Sequence, residues 1–137
     1  MAFLEKADLT SIIYLEDIDV ITEGDDTKVQ SAIDVGIAEA YTYLAKYDIP
    51  TLFARVPPLR DPVLFESCKA IAVWYLVKLC PANQDTKEIT EGARVARSWL
   101  KRIQAGDAVP YNWPLVPAPD LDTFFHVASF PKRINNF

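Results

Sequence analysis

Asp61-Pro-Val-Leu-Phe-Glu-Ser-Cys-Lys-Ala-Ile-Ala-Val-Trp-Tyr-Leu-Val-Lys-Leu-Cys-Pro81 decides the fold. Asp61 suits the cap of a helix, and Pro62 suits its first position, where a missing N–H costs nothing. Pro81 stops the run, because proline cannot continue the hydrogen-bond ladder. Such a helix spans roughly 27 Å at 1.5 Å per residue. Apolar residues from Val63 to Leu79 cover nearly all its sides, and charge enters only at Glu66, Lys69 and Lys78. A helix apolar almost all round must be enclosed. A membrane span needs about 20 apolar residues with few charges, so three charges inside the run favour a water-soluble core.

The weaker helical patterns flank it. Residues 4–13 predict a short helix with Leu9, Ile12 and Ile13 inward. Residues 15–23 predict another, with Leu15, Ile18 and either Val20 or Ile21 inward, stopped at Gly24. Asp25 or Asp26 then caps a long helix running to about Tyr47. Its stripe is Val29, Ile33, Gly36 or Ile37, Ala40, Leu44 and Tyr47. Gly36 and Ala40 are small and four apart, which lets a partner helix approach closely. Residues 48–60 contain three prolines and read as a stiff connection with Leu52, Phe53, Val56 and Leu59 tucked in. Asp85 or Thr86 opens the last helix, which buries Ile89, Ala93, Ala96, Trp99, Leu100 and Ile103 and ends at Gly106. The expected fold is all-α: a bundle of about five helices, two short and three long, around the central apolar one.

Residues 107–137 change character. They hold five of the ten prolines, together with Tyr111, Trp113, Phe124, Phe125, Phe130 and Phe137. Disordered tails are usually poor in aromatics. We expect 1–106 to form the bundle, and 107–137 to extend over it or over a neighbouring subunit.

The net charge of −5 conceals an asymmetry. Residues 1–48 carry 11 acidic and 3 basic side chains, and residues 49–137 carry 8 acidic and 11 basic. Opposite charge in the two parts suits head-to-tail packing of copies, although scattered solvated charge is the simpler explanation. The second short helix carries Glu16, Asp17, Asp19 and Glu23 and would repel phosphates. Arg94, Arg97 and Lys101 share one face of the last helix, with Arg102 nearby. That face suits a carboxylate-rich neighbour or nucleic acid, or simply water.

Catalytic constellations do not emerge. Cys68 and Cys80 lie at opposite ends of one helix, too far apart to bridge, and read as reduced thiols in a cytosolic setting. They make no metal-binding Cys pair. His126 is the single histidine. Gly24 has no glycine neighbours with which to cradle phosphate. Glu66 reads as half-buried and paired with Lys69. Glu66, Cys68 and His126 are the side chains open to catalysis, and nothing in their spacing brings them together. No apolar run follows a basic patch at the start, so no secretory signal is expected.

The order of short blocks carries a resemblance. Phe3-Leu4 and Asp8-Leu9 come first. Ile21-Thr22-x-Gly24-Asp25-Asp26 precedes Ala32-Ile33-Asp34, Ala38-Glu39-Ala40, Tyr43-Leu44 and Tyr47-Asp48. Cys68-Lys69-x-Ile71-Ala72-x-Trp74-x-Leu76 and Trp99-Leu100-x-x-Ile103-x-x-Gly106 follow, and Phe130-Pro131-Lys132-Arg133-x-Asn135 closes the chain. Together these resemble Mu-like phage and prophage virion proteins grouped with head–tail connector, or head-completion, proteins. The resemblance implies a helical bundle without enzyme activity or cofactor. It implies copies forming a ring in the virion between portal and tail proteins, with DNA only as passing cargo and no membrane partner. The residues expected at subunit interfaces are Arg94, Arg97, Lys101, Trp113, Phe124, Phe125, Phe130, Lys132 and Arg133. The alternative is a helical regulatory or DNA-binding module using Arg94, Arg97, Lys101, Arg102, Lys132 and Arg133.

Overall fold

A computed structural model describes residues 2–57, 59–79 and 86–117. Within them the chain is all-α. A 3-10 helix, Lys6–Ser11, is followed by α1 (Leu15–Thr22), α2 (Asp26–Tyr43), α3 (Ile49–Ala54), α4 (Pro62–Val77) and α5 (Thr86–Ala105).

The quoted stretch forms α4. Asp61 Oδ1 accepts the Leu64 N–H at 2.8 Å and Pro62 opens the first turn. Leu64, Cys68, Ile71, Ala72, Val73 and Leu76 are fully enclosed. The walls around them are α2 and α5, with α1 and the 3-10 helix closing the rest. The enclosure is incomplete at the ends, where Val63 and Leu79 are exposed. The helix also stops at Val77, short of Pro81. Lys78 caps it, and the Leu79 N–H turns back to the Leu76 carbonyl at 3.1 Å. Cys80 and Pro81 lie outside the described residues.

The long partner α2 begins at Asp25, whose side chain accepts from the Thr27 N–H at 2.9 Å. Gly36 on its inner face matters: a Cβ there would stand 3.0 Å from both Cα and N of Ala72. The α2–α4 approach is therefore set by glycine against backbone. The helix ends at Tyr43 rather than near Tyr47. Leu44 leaves helical geometry, and Tyr47 instead forms an isolated antiparallel bridge with Leu115.

Two short elements depart from expectation. The first predicted helix is a 3-10 turn; Leu9 and Ile13 are buried but Ile12 is exposed. In α1 the buried residues are Ile18, Ile21 and Thr22. Leu15 and Val20 face outward. Spacing of three and four from Ile18 selects this face, and Thr22 is tolerated inside because its hydroxyl donates to the Ile18 carbonyl at 2.8 Å. The connection 48–60 contains a helix that its prolines disguised. Asp48 caps α3, Pro50 occupies its first turn, and Leu52 and Phe53 are buried. Leu59 is 72% exposed, not tucked in.

The last long helix, α5, buries Ala93, Ala96, Leu100 and Ile103, with Ile89 and Trp99 packed at the margin. Gly106, at φ +86°, supplies the left-handed residue that ends it. Among the described residues, no helix is long and apolar enough to cross a membrane.

Candidate interaction surface

The face of α5 beside its buried stripe carries Thr90, Arg94, Arg97, Ser98 and Lys101. With Trp74 of α4 they line an open groove of about 440 Å³. Arg97 is its fixed point. Its Nε donates to Glu39 Oε2 and its Nη2 to Glu39 Oε1, both at 2.9 Å. The Tyr75 hydroxyl donates to the same Oε1 at 2.9 Å. The guanidinium also lies 4.3 Å from the centre of the Trp74 ring. One carboxylate on α2 thus ties α4 and α5 together at the edge of the core. The Glu39 hydrogen bond raises the pKa of Arg97. Burial, and then the same carboxylate, raises that of Tyr75.

The other two cations are more open. Arg94 pairs with Glu91 one turn earlier on its own helix, and both side chains are well exposed. That pairing holds the Glu91 carboxyl below its ordinary value. Lys101 is exposed and makes no ion pair among the described residues.

The acidic flank lies on α1, which packs on α2 and α4. Lys6 takes Asp19 and Asp26 at 3.2 and 2.7 Å, which clamps the 3-10 helix to the middle of α1 and the start of α2. Asp25 is used as the α2 cap. Glu16 and Glu23 remain exposed, without an ion pair among the described residues, and Val20 between them is 58% exposed.

A third surface comes from residues 107–117, which return to the bundle. Trp113 is buried against Tyr47 and Trp99, and its Nε1 donates to Asp61 Oδ2 at 3.0 Å. The Asp48 N–H donates to the Pro114 carbonyl at 2.8 Å, the Val116 N–H to the Lys46 carbonyl at 3.1 Å, and Arg55 to the Asn112 carbonyl at 3.2 Å. Val109, Tyr111, Leu115 and Val116 stay exposed along this strap.

The residues considered for chemistry are separated by environment. Cys68 is fully buried and burial pushes its thiol up to about 12, which suppresses the nucleophilic thiolate. The expected half-buried Glu66 is exposed; its partner Lys69 is the enclosed member, with Nζ 2.7 Å from Glu66 Oε1. Among the described residues, no group of three or more His, Cys, Asp or Glu side chains is placed to hold a metal ion. His126 lies outside those residues.

Of the expected interface residues, Arg94 and Lys101 do share one open groove. Arg97 and Trp113 are committed inside the subunit instead, to Glu39 and to Asp61 with its aromatic neighbours. Phe124, Phe125, Phe130, Lys132 and Arg133 lie outside the described residues, as does the extended segment expected at 124–127. Sequence reasoning did not single out Glu39, Glu16 or Glu23 for a partner. The spacing of Glu16 and Glu23 was available as a signal; the role of Glu39 was not, because its partner lies 58 residues away.

Fold and surface together define an all-α bundle with a cationic groove on one helix and an acidic face on another. Comparisons of the chain with protein-family models, with curated proteins and with solved structures returned no significant match.

Proposed function

We propose that this chain is a non-enzymatic structural subunit of a phage or prophage virion, a head–tail connector that assembles through copies of itself into a ring between portal and tail. The observation that carries this reading is the division of exposed charge. An acidic face on α1 and a basic groove on α5 occupy different elements, each backed by the same two core helices. Two unlike surfaces on one subunit make a heterologous contact, which repeats around a ring when the rotation closes. The exposed apolar strap of Val109, Tyr111, Leu115 and Val116 adds surface that a neighbour would cover. The block resemblance supplies the setting, with portal and tail proteins as neighbours in the virion and DNA passing through the ring. A net negative subunit suits that passage, because a cationic wall would hold phosphates.

The duplex-binding alternative has less support. It needs a row of open cations on α5, and Arg97, in the middle of that row, already holds Glu39 inside the subunit.

The direct test adds purified chain to DNA-filled heads that carry a portal but no tail, and images them by electron microscopy. The expected result is a ring of extra density below the portal and recovery of tail joining. Heads left bare by a large excess of folded chain would contradict the reading.

A further inference from the structure

We propose that the outward face of α1 from one copy docks in the α5 groove of the next, with Glu16 and Glu23 on Arg94 and Lys101. This inference rests on the assembly reading above and names the surfaces that would carry it.

The first argument is spacing. Glu16 and Glu23 are seven residues apart, as are Arg94 and Lys101. Seven residues of helix rise about 10.5 Å, which separates Arg94 from Lys101 along one side of α5 and Glu16 from the residue that closes α1. Ile18, Ile21 and Thr22 point α1 into its own core. Glu16 and Val20 therefore fall on the opposite side, and the exposed Glu23, the left-handed residue that closes α1, follows directly after its last turn.

The second argument is availability. Three other acids of this region have partners in the subunit: Asp19 and Asp26 hold Lys6, and Asp25 caps α2; Asp17 on α1 is half-buried, unlike the exposed Glu16 and Glu23. Lys101 has no ion pair among the described residues, and the Glu91 that holds Arg94 is itself exposed, so the arginine can exchange one carboxylate for another. The rest of the lining suits a helix. Thr90 and Ser98 offer hydroxyls, and Trp74 offers an apolar wall to Val20. Arg97 does not take part as a free charge; its bond to Glu39 holds the groove edge in place.

The fit predicts a salt-dependent contact, because both charge pairs are exposed and screened by added ions. It is also heterologous, so one copy can use its groove and its α1 at once.

A charge-reversal mixing experiment tests it. One variant carries Arg94→Glu and Lys101→Glu, the other Glu16→Lys and Glu23→Lys. Circular dichroism checks that both keep the helical fold, which exposed substitutions leave in place. Self-association of the full chain is followed by sedimentation at low salt up to about millimolar concentration, where even weak charge-steered contacts populate. Wild type is expected to associate. Each variant alone is expected to associate roughly tenfold or more weakly, because like charges now face each other. Mixing the two variants is expected to restore association, since the acidic groove of one meets the basic α1 of the other. If each variant alone associates as wild type does, the docking is wrong while the assembly reading stands. If both are weakened but the mixture stays dissociated, the two faces matter without meeting, and the docking is again overturned. A wild-type chain that remains monomeric throughout overturns both.

Discussion

Lys69 and Glu66 divide their exposure the opposite way from what their sequence suggests. The ammonium is nearly enclosed, at 4% side-chain exposure, and the carboxylate that holds it is 61% exposed. The Phe65 ring lies 4.7 Å from the same Nζ. Removing the partner of a buried charge costs more than replacing the charged group itself. We therefore expect Glu66→Ala to cost about 1–3 kcal/mol, and Lys69→Met to be near neutral. Urea unfolding monitored by circular dichroism measures both; a larger loss in Lys69→Met would contradict the enclosure. Cys68 makes a second prediction at this scale. Its folded pKa is raised above the unfolded value by burial. The neutral thiol therefore contributes stability that is intact below about pH 9 and is lost as pH rises toward about 12. In a Cys80→Ser chain, the remaining thiol should resist a disulfide reagent until the protein unfolds. Rapid native labelling at pH 8 would contradict its burial. The raised pKa values of Arg97 and Tyr75 act in the same direction, and only at alkaline pH.

The long elements were legible because each runs for several turns. In α2, α4 and α5 an apolar stripe or an apolar cylinder is repeated often enough to define its face, and Asp25 and Asp61 mark two of the starts. The eight residues of α1 make barely two turns, so Leu15 and Val20 competed with Ile21 for the inside, and tertiary packing chose. The six residues of α3 were hidden by Pro50, which reads as a loop residue in sequence but sits comfortably in a first helical turn. The close approach at Gly36 was legible from its small-residue spacing. Gly36→Val would press against the Ala72 backbone and should cost about 1–3 kcal/mol or more. A Gly36→Val chain as stable as wild type would show that α2 and α4 can part freely. The return of residues 107–117 was only half legible, since aromatic content argued for packing without saying where. Trp113→Ala removes a buried ring and its bond to Asp61, and should cost about 3–5 kcal/mol. Truncation after Gly106, which removes Trp113 and the backbone bonds to Lys46 and Asp48, should lower thermal stability well beyond truncation after Pro117. Equal losses from both truncations would contradict the Trp113 anchor.

At the scale of the molecule, the core explains the shape and the surface is left to explain the function. A mostly apolar α4, held between α2 and α5 and closed by α1, uses up the hydrophobic stripes of its neighbours. What stays outside includes carboxylates at α1, Arg94 and Lys101 in the α5 groove beside the exposed Glu88 and Glu91 of the same helix, and an apolar strap between residues 109 and 116. Arg94 and Lys101 were readable as a shared face from their spacing. Their groove was not, because it depends on how α4 presents Trp74 beside them. Heterologous assembly requires unlike, complementary faces on one subunit, and the proposed function depends on that requirement being met here. Native mass measurement of the full-length chain over a range of concentration and salt tests it most directly. The account predicts growth from monomer to one closed oligomer of defined copy number, favoured by low salt. A single monomeric mass at every concentration and salt would contradict it.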